Sequence, residues 1–164
     1  MEIRKVTEND DFEAIGDIYA QSWKSAYQGI VAQEYLDALI GGQWASVLCD
    51  RKYDSYVVLE DGKYIGTSVV GASRDEKLTG WGELITIYLL PEYFGRGYAE
   101  PLIHCAVKAL REMGCMNVYL WTLEENTRAR RFYEKHGFCE NGDSSIIEIA
   151  GKKLNEIRYI KNMG

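Results

Sequence analysis

The chain has 164 residues, 46% of them hydrophobic and 27% charged, with a formal net charge of −6. That length suits one domain with a modest core, and no apolar run approaches the roughly 20 residues a membrane span needs. Lysines and arginines are spread along the chain rather than gathered into a basic stripe, which argues against a nucleic-acid partner.

The N-terminus, Met1-Glu2-Ile3-Arg4-Lys5-Val6, lacks the apolar core of a signal peptide, so the expected location is cytoplasmic. Residues 2–6 alternate as a short first strand. Asn9 or Asp10 is placed to cap a helix, whose apolar face is Phe12, Ile15, Ile18, Tyr19 and Trp23 and which runs to about residue 24. Gly29 breaks it, and two short helices are expected at 31–39 and 44–49, separated by Gly41-Gly42. Trp23, Tyr27, Tyr35 and Trp44 fall in this region and either line a pocket or fill core.

Residues 55–60 and 63–73 alternate and are joined by Asp61-Gly62, a strong two-residue hairpin signal. A polar loop at 74–80 leads to the apolar run 84–90, so the second, third and fourth strands should form an antiparallel meander. Pro91 stops the run because it brings no N–H to a ladder. A loop with two glycines follows, Glu92-Tyr93-Phe94-Gly95-Arg96-Gly97-Tyr98-Ala99, and then an amphipathic helix on Leu102, Ile103, Ala106, Val107 and Leu110, stopped by Gly114. Residues 116–122 read as a second buried strand, and a strand–helix–strand unit of this length implies parallel pairing. Asn126 opens another helix, carrying Ala129, Phe132 and Tyr133 on one side and closed by His136-Gly137. From Phe138 onward, through 146–150, Gly151-Lys152 and 154–160, the chain makes a closing hairpin. The fold class is α/β. A mixed central sheet combines an N-terminal antiparallel meander, a parallel strand pair and a C-terminal hairpin, all within one domain over 1–164.

Strand, glycine loop and helix in this order make an anion site. The first N–H groups of a helix have no intrahelical partner, and the helix dipole adds partial positive charge there. A pyrophosphate fits that description, although an ordinary tight turn has the same pattern. Cys49, Cys105, Cys115 and Cys139 form no CxxC pair, and with His104 and His136 they show no zinc-type spacing. Reduced cysteines used as core fillers, and no metal, are expected.

Residues 90–99, Leu-Pro-Glu-Tyr-Phe-Gly-Arg-Gly-Tyr-Ala, followed by Asn126-Thr-Arg-Ala129-Arg-Arg-Phe132-Tyr133-Glu-Lys-His-Gly137-Phe138, resemble the GNAT superfamily of N-acetyltransferases over nearly the whole chain. The resemblance implies acetyl-CoA as acyl donor and a small-molecule or peptide amine as acceptor. It also implies a cofactor lying between the two parallel strands at the cofactor cleft. Its pyrophosphate would be held by the backbone of Gly95, Arg96, Gly97, Tyr98, Ala99 and Glu100, and its pantetheine arm by the backbone of Ile87, Tyr88 and Leu89. Phe94 departs from the family pattern, which usually has Arg or Gln there, and Glu100 is an awkward neighbour for a polyanion. Asn126 matches the family's asparagine beside the cofactor arm and is also a good helix cap; Tyr133 matches its tyrosine near the sulfur, and packing is the alternative reading.

Acetyl transfer to an amine needs a base, a polarised thioester carbonyl and an acid for the leaving thiolate. A backbone N–H near Tyr88 or Leu89 serves the carbonyl, and Tyr133 serves as acid. Glu83, at the start of the central strand, is the expected base, with Glu124 and Glu125 as competitors. Two alternatives differ in class. A non-catalytic acyl-CoA-binding sensor fits Phe94 and the uncertain base. A dinucleotide-binding oxidoreductase fits Gly95-x-Gly97, although Glu100 stands at its third glycine. The acceptor stays open among small amines, amino acids, polyamines, antibiotics and protein N-termini, and the last strands are placed to pair across a homodimer.

Overall fold

The computed structural model describes residues 1–164. Seven strands form one sheet: β1 (Glu2–Lys5), β2 (Asp54–Glu60), β3 (Lys63–Ala72), β4 (Gly82–Leu89), β5 (Asn117–Leu123), β6 (Cys139–Ile149) and β7 (Lys152–Asn162). Five helices accompany them: α1 (Phe12–Ala26), α2 (Gln33–Asp37), α3 (Ala45–Cys49), α4 (Ala99–Glu112) and α5 (Thr127–Lys135). The spatial strand order is β1-β2-β3-β4-β5-β7-β6. The expected meander is present, since β2–β3 and β3–β4 pair antiparallel, and Asp61 (φ 50) with Gly62 (φ 79) makes the tight turn read from the sequence. Only β4 and β5 run parallel; β5–β7 and β6–β7 are antiparallel.

The helices cover both faces of the sheet, and strand alternation decides which residues meet which helix. On one face Ile103, Ala106 and Leu110 of α4 and Tyr133 of α5 pack with Leu84, Val118, Leu120, Ile157 and Tyr159. On the other, Ile15 and Tyr19 of α1 pack on Val57, Leu59 and Val69. Ala20 and Leu36 pack on Leu123 and Leu154. Burying aliphatic side chains of this size stabilises by about 1.5–3 kcal/mol each.

Two expectations change. The cap of α1 is Asp11, whose carboxylate accepts from Ala14 N at 3.0 Å. Asp10 is not available for that task, because it already accepts from Arg4 at 2.7 and 2.8 Å, from Thr7 N at 2.7 Å and from Tyr64 Oη at 2.7 Å. The cysteines are all free, but only Cys115 is a core filler; Cys49 and Cys139 are exposed at element ends. No helix is long and apolar enough to cross a membrane.

Candidate active site

The site begins where β4 and β5 part. Their parallel register contains two residue pairs, Gly82 with Val118 and Glu83 with Tyr119. Just beyond, the register between β3 and β4 slips: Leu84 faces Val70 and Thr86 faces Val69, leaving Ile85 as an extra residue. A bulge of this kind bends its strand and increases local twist. β4 therefore turns away from β5, and its edge past Glu83 has no strand partner. Unpaired backbone N–H and C=O groups along such an edge are ready to accept an extended ligand as an added strand.

Two cavities that share lining residues occupy the opening. One, of about 240 Å³, is lined mainly by Ile87, Tyr88, Leu89, Phe94, Gly95 and Ala99 from the loop side, with Ala129 and Tyr133 from α5. The other, of about 90 Å³, is walled by Trp23, Tyr27, Tyr88, Trp121 and Asn126. Tyr133 and Arg128 line both. A larger surface depression of about 670 Å³ near Lys5, Asn9 and Asp54 contains none of the catalytic or cofactor-binding residues expected from the sequence.

The glycine loop turns at Gly95 (φ 69) and Gly97 (φ 87), backbone angles that side chains with a Cβ resist. It delivers the chain to Tyr98, the cap of α4, whose side chain makes no capping hydrogen bond. The first-turn N–H groups of this 14-residue helix thus remain without a side-chain cap, as an anion site requires. Of the expected cofactor residues, Ile87, Tyr88, Leu89, Gly95 and Ala99 face the larger cavity. Arg96 turns outward, donating to Glu92 O at 3.3 Å, and Tyr98 packs edge-on against Tyr93 with ring centres 5.3 Å apart. Glu100 points towards Lys135, 4.0 Å away, and lines a separate groove with His104 and Lys108.

Asn126 caps α5, its Oδ1 accepting from Ala129 N at 3.2 Å, and it also borders the smaller cavity. Tyr133, 9% exposed, is held by Phe138 and Tyr159, each with its ring centre 6.1 Å away. Burial lifts its pKa well above the ordinary tyrosine value, so the hydroxyl stays protonated. Tyr88 is fixed by Trp23, whose Nε1 donates to the Tyr88 hydroxyl at 3.0 Å. Of the aromatics that either line a pocket or fill core, Trp23 and Tyr27 line the smaller cavity. Trp44 stacks on Tyr19 at 5.4 Å, and Tyr35 lies at the surface.

Glu83 does not stand free at the acceptor end. It is 2% exposed, and its carboxylate accepts from Arg74 Nη2 at 2.6 Å, Arg74 Nε at 3.1 Å, Arg74 N at 3.2 Å and Tyr119 Oη at 2.8 Å. Burial would raise its pKa, but these donors outweigh burial and lower it. A carboxylate so engaged is a weak proton acceptor, which revises the expectation for Glu83. Glu124 and Glu125 are exposed and border a minor hollow with Leu154 and Asn155, outside both cavities. Sequence reading missed Glu156 on β7. It is half-buried opposite Leu123. Burial raises its pKa; the Arg74 charge opposes that rise and the Glu83 charge adds to it.

The family model described as "Acetyltransferase (GNAT) family" matches residues 12–138. The chain belongs to the GNAT family of acetyltransferases. Its function is accordingly acetyl-CoA-dependent N-acetyl transfer. The chain is 27% identical over 150 residues to a spermidine N(1)-acetyltransferase of Thermoplasma acidophilum, covering 88% of this chain and 92% of that protein. It is 29% identical over 137 residues to an uncharacterised N-acetyltransferase of Mycobacterium tuberculosis, covering 80% and 85%. Among solved structures, the PaiA N-acetyltransferase of Thermoplasma acidophilum in complex with coenzyme A superposes with a TM-score of 0.71 at 22% identity, covering 98% of both chains. A putative acetyltransferase of Salmonella typhimurium with its cofactor acetyl-CoA gives 0.77 at 18% identity, covering 100% of this chain and 94% of that one. These likenesses show the same fold. The dinucleotide-binding alternative fails on topology, since such a fold needs a series of parallel strands and this GNAT sheet has one parallel pair. The non-catalytic sensor gives way to an enzyme.

The GNAT cleft fits acetyl-CoA on its own geometry: a turn with two positive-φ glycines before uncapped helix N–H groups, then a free strand edge, then a cavity ending at a tyrosine hydroxyl. When bound, the cofactor supplies an acetyl group activated as a thioester.

Proposed function

We propose that the enzyme acetylates a small cationic amine by direct attack, with Tyr133 as the acid and Glu156 as the proton acceptor. The observation that carries this reading is the position of Tyr133, which lines both the cofactor cavity and the aromatic cavity and brings a hydroxyl to them. Phosphates would rest on the backbone of residues 95–100, and the pantetheine arm would run along Ile87, Tyr88 and Leu89 past Asn126. The amine would enter among Trp23, Tyr27 and Tyr88, aromatic rings of a kind that favours an ammonium, beside Trp121, whose ring already carries the Arg158 guanidinium 4.4 Å from its centre.

Glu156 suits the base role because it accepts no donor comparable to those on Glu83, and burial moves its pKa upward. In the proposed step Glu156 takes the ammonium proton. The amine nitrogen bonds the acetyl carbon as the carbon–sulfur bond breaks, and Tyr133 protonates the sulfur. The proton left on nitrogen returns to Tyr133 through solvent. A backbone N–H of Tyr88 or Leu89 polarises the carbonyl. Glu83 holds the strand junction in place and takes no proton.

On the similarity to a spermidine acetyltransferase, diamines and polyamines are the acceptors proposed first. A panel of polyamines, amino acids and peptide N-termini, with acetyl-CoA and thiol release as the readout, tests the assignment. Release with amino acids or peptides but not polyamines would replace the acceptor class. β6, the outer sheet strand with Ile146 exposed, is the proposed contact of a homodimer; a monomeric mass by light scattering would remove it.

A further inference from the structure

Three cations surround the glycine loop, and two of them are committed. Lys63 Nζ donates to Glu92 Oε1 at 2.6 Å. Arg96 donates to Glu92 O and lies over the Tyr93 ring, 5.4 Å from its centre. Arg128, in the first turn of α5, has no carboxylate against it; its guanidinium carbon sits 3.4 Å from the centre of the Phe94 ring. That contact crosses the mouth of the cleft from α5 to the loop, and both side chains line the cofactor cavity.

A polyanion seated on the backbone of residues 95–99 would thus find Glu100 facing Lys135 and one uncommitted cation beside it. We propose that Arg128 is the phosphate-pairing residue of this enzyme, resting on the Phe94 ring in the free protein and turning onto the cofactor's pyrophosphate when it binds. The contact with Phe94 is exchangeable, because a guanidinium over a phenyl face is held more weakly than one in a two-pronged pair with phosphate. Phe94 keeps the guanidinium at the cleft mouth without neutralising it. The inference rests on the acetyl-CoA reading of the cleft and extends it to a side chain that contributes charge where the loop contributes only backbone N–H groups.

Calorimetry with two probes, coenzyme A and pantetheine, tests it, since pantetheine shares the arm and lacks the pyrophosphate. Arg128→Gln, folded by circular dichroism, is expected to weaken coenzyme A by roughly tenfold to hundredfold, the range of a charge-assisted hydrogen bond, and to leave pantetheine unchanged. Arg128→Lys should recover most of the loss, and Lys63→Gln should change coenzyme A binding by less than about threefold, as for an exposed charge. Wild-type affinity in Arg128→Gln, or equal loss of both probes, would overturn the proposal. A wild-type protein that binds neither probe would overturn the acetyl-CoA reading itself, a result distinct from the other two.

Discussion

The Tyr119 hydroxyl donates to Glu83 Oε2 at 2.8 Å, and the same two residues form the last paired position of β4 and β5 before the strands separate. Backbone pairing and side-chain bonding coincide at the apex of the cleft. Arg74 closes the carboxylate from the other side. The pair of strands is thereby fixed at one end and open at the other.

Glu83 should consequently matter to stability in a pH-dependent way. Its folded pKa is lowered, so its contribution is present in full above the ordinary glutamate value of about 4.3 and is lost as pH falls through the folded value. Glu83→Gln is expected to cost about 1–2 kcal/mol at pH 7, limited because Arg74 is largely exposed and solvent screens the pair. Urea midpoints from pH 7 to pH 3 should fall less steeply for the variant. Parallel curves would remove Glu83 from the acid response.

Tyr133→Phe removes one hydroxyl from a packed ring. Turnover is expected to fall by about 10²- to 10⁴-fold, the usual loss for a general acid, with acetyl-CoA affinity unchanged. Rapid-quench kinetics would show whether chemistry limits the rate. A change within twofold under that condition would make Tyr133 a packing residue.

Gly97→Glu places a Cβ where φ is 87° and a negative charge beside the uncapped start of α4. Coenzyme A binding by calorimetry should be lost. Gly97→Ala provides the control for strain alone, expected to cost about 1–2 kcal/mol of stability while retaining binding. Undiminished binding in a folded Gly97→Glu protein would move the phosphate site elsewhere.

Glu156→Gln should separate catalysis from stability. The Glu156 pKa is raised by folding, so its ionised form is a cost to the native state above about pH 4.3, absent below it, and the variant should be more stable at neutral pH. Its turnover should fall most below the amine's own pKa and recover as pH rises, whereas Glu83→Gln should track the wild-type profile. The reverse pattern in the two pH profiles would return the base role to Glu83.

The central elements were legible because each has a local signature. An apolar run ended by Pro91, two glycines and a three-to-four spacing specify strand, loop and helix without reference to the rest of the chain. The helix that Asn126 caps and that carries Tyr133 is where the resemblance places it. What escaped depends on distant partners. Glu83 reads as a strand-end carboxylate, and only the fold brings Arg74 back from the preceding loop to bind it. Glu156 reads as the polar member of an alternating last strand; its partial burial comes from the elements packed on that face. Arg128 is one of several basic residues around α5, and nothing local distinguishes it until Phe94 appears beneath it. Asp10 looked like a cap because the sequence hides its pull on Arg4 and Tyr64.

Because two residue pairs join β4 to β5, the sheet consists mechanically of two plates, β1 to β4 and β5 with β7 and β6, meeting at a narrow hinge. In the free protein the backbone groups of residues 85–89 on the open side should exchange their amide protons readily. An extended molecule bonded along that edge would brace the plates against each other. The enzyme would then be stiffest when loaded and would slacken as its product departs, so the donor it consumes would also be a temporary structural member.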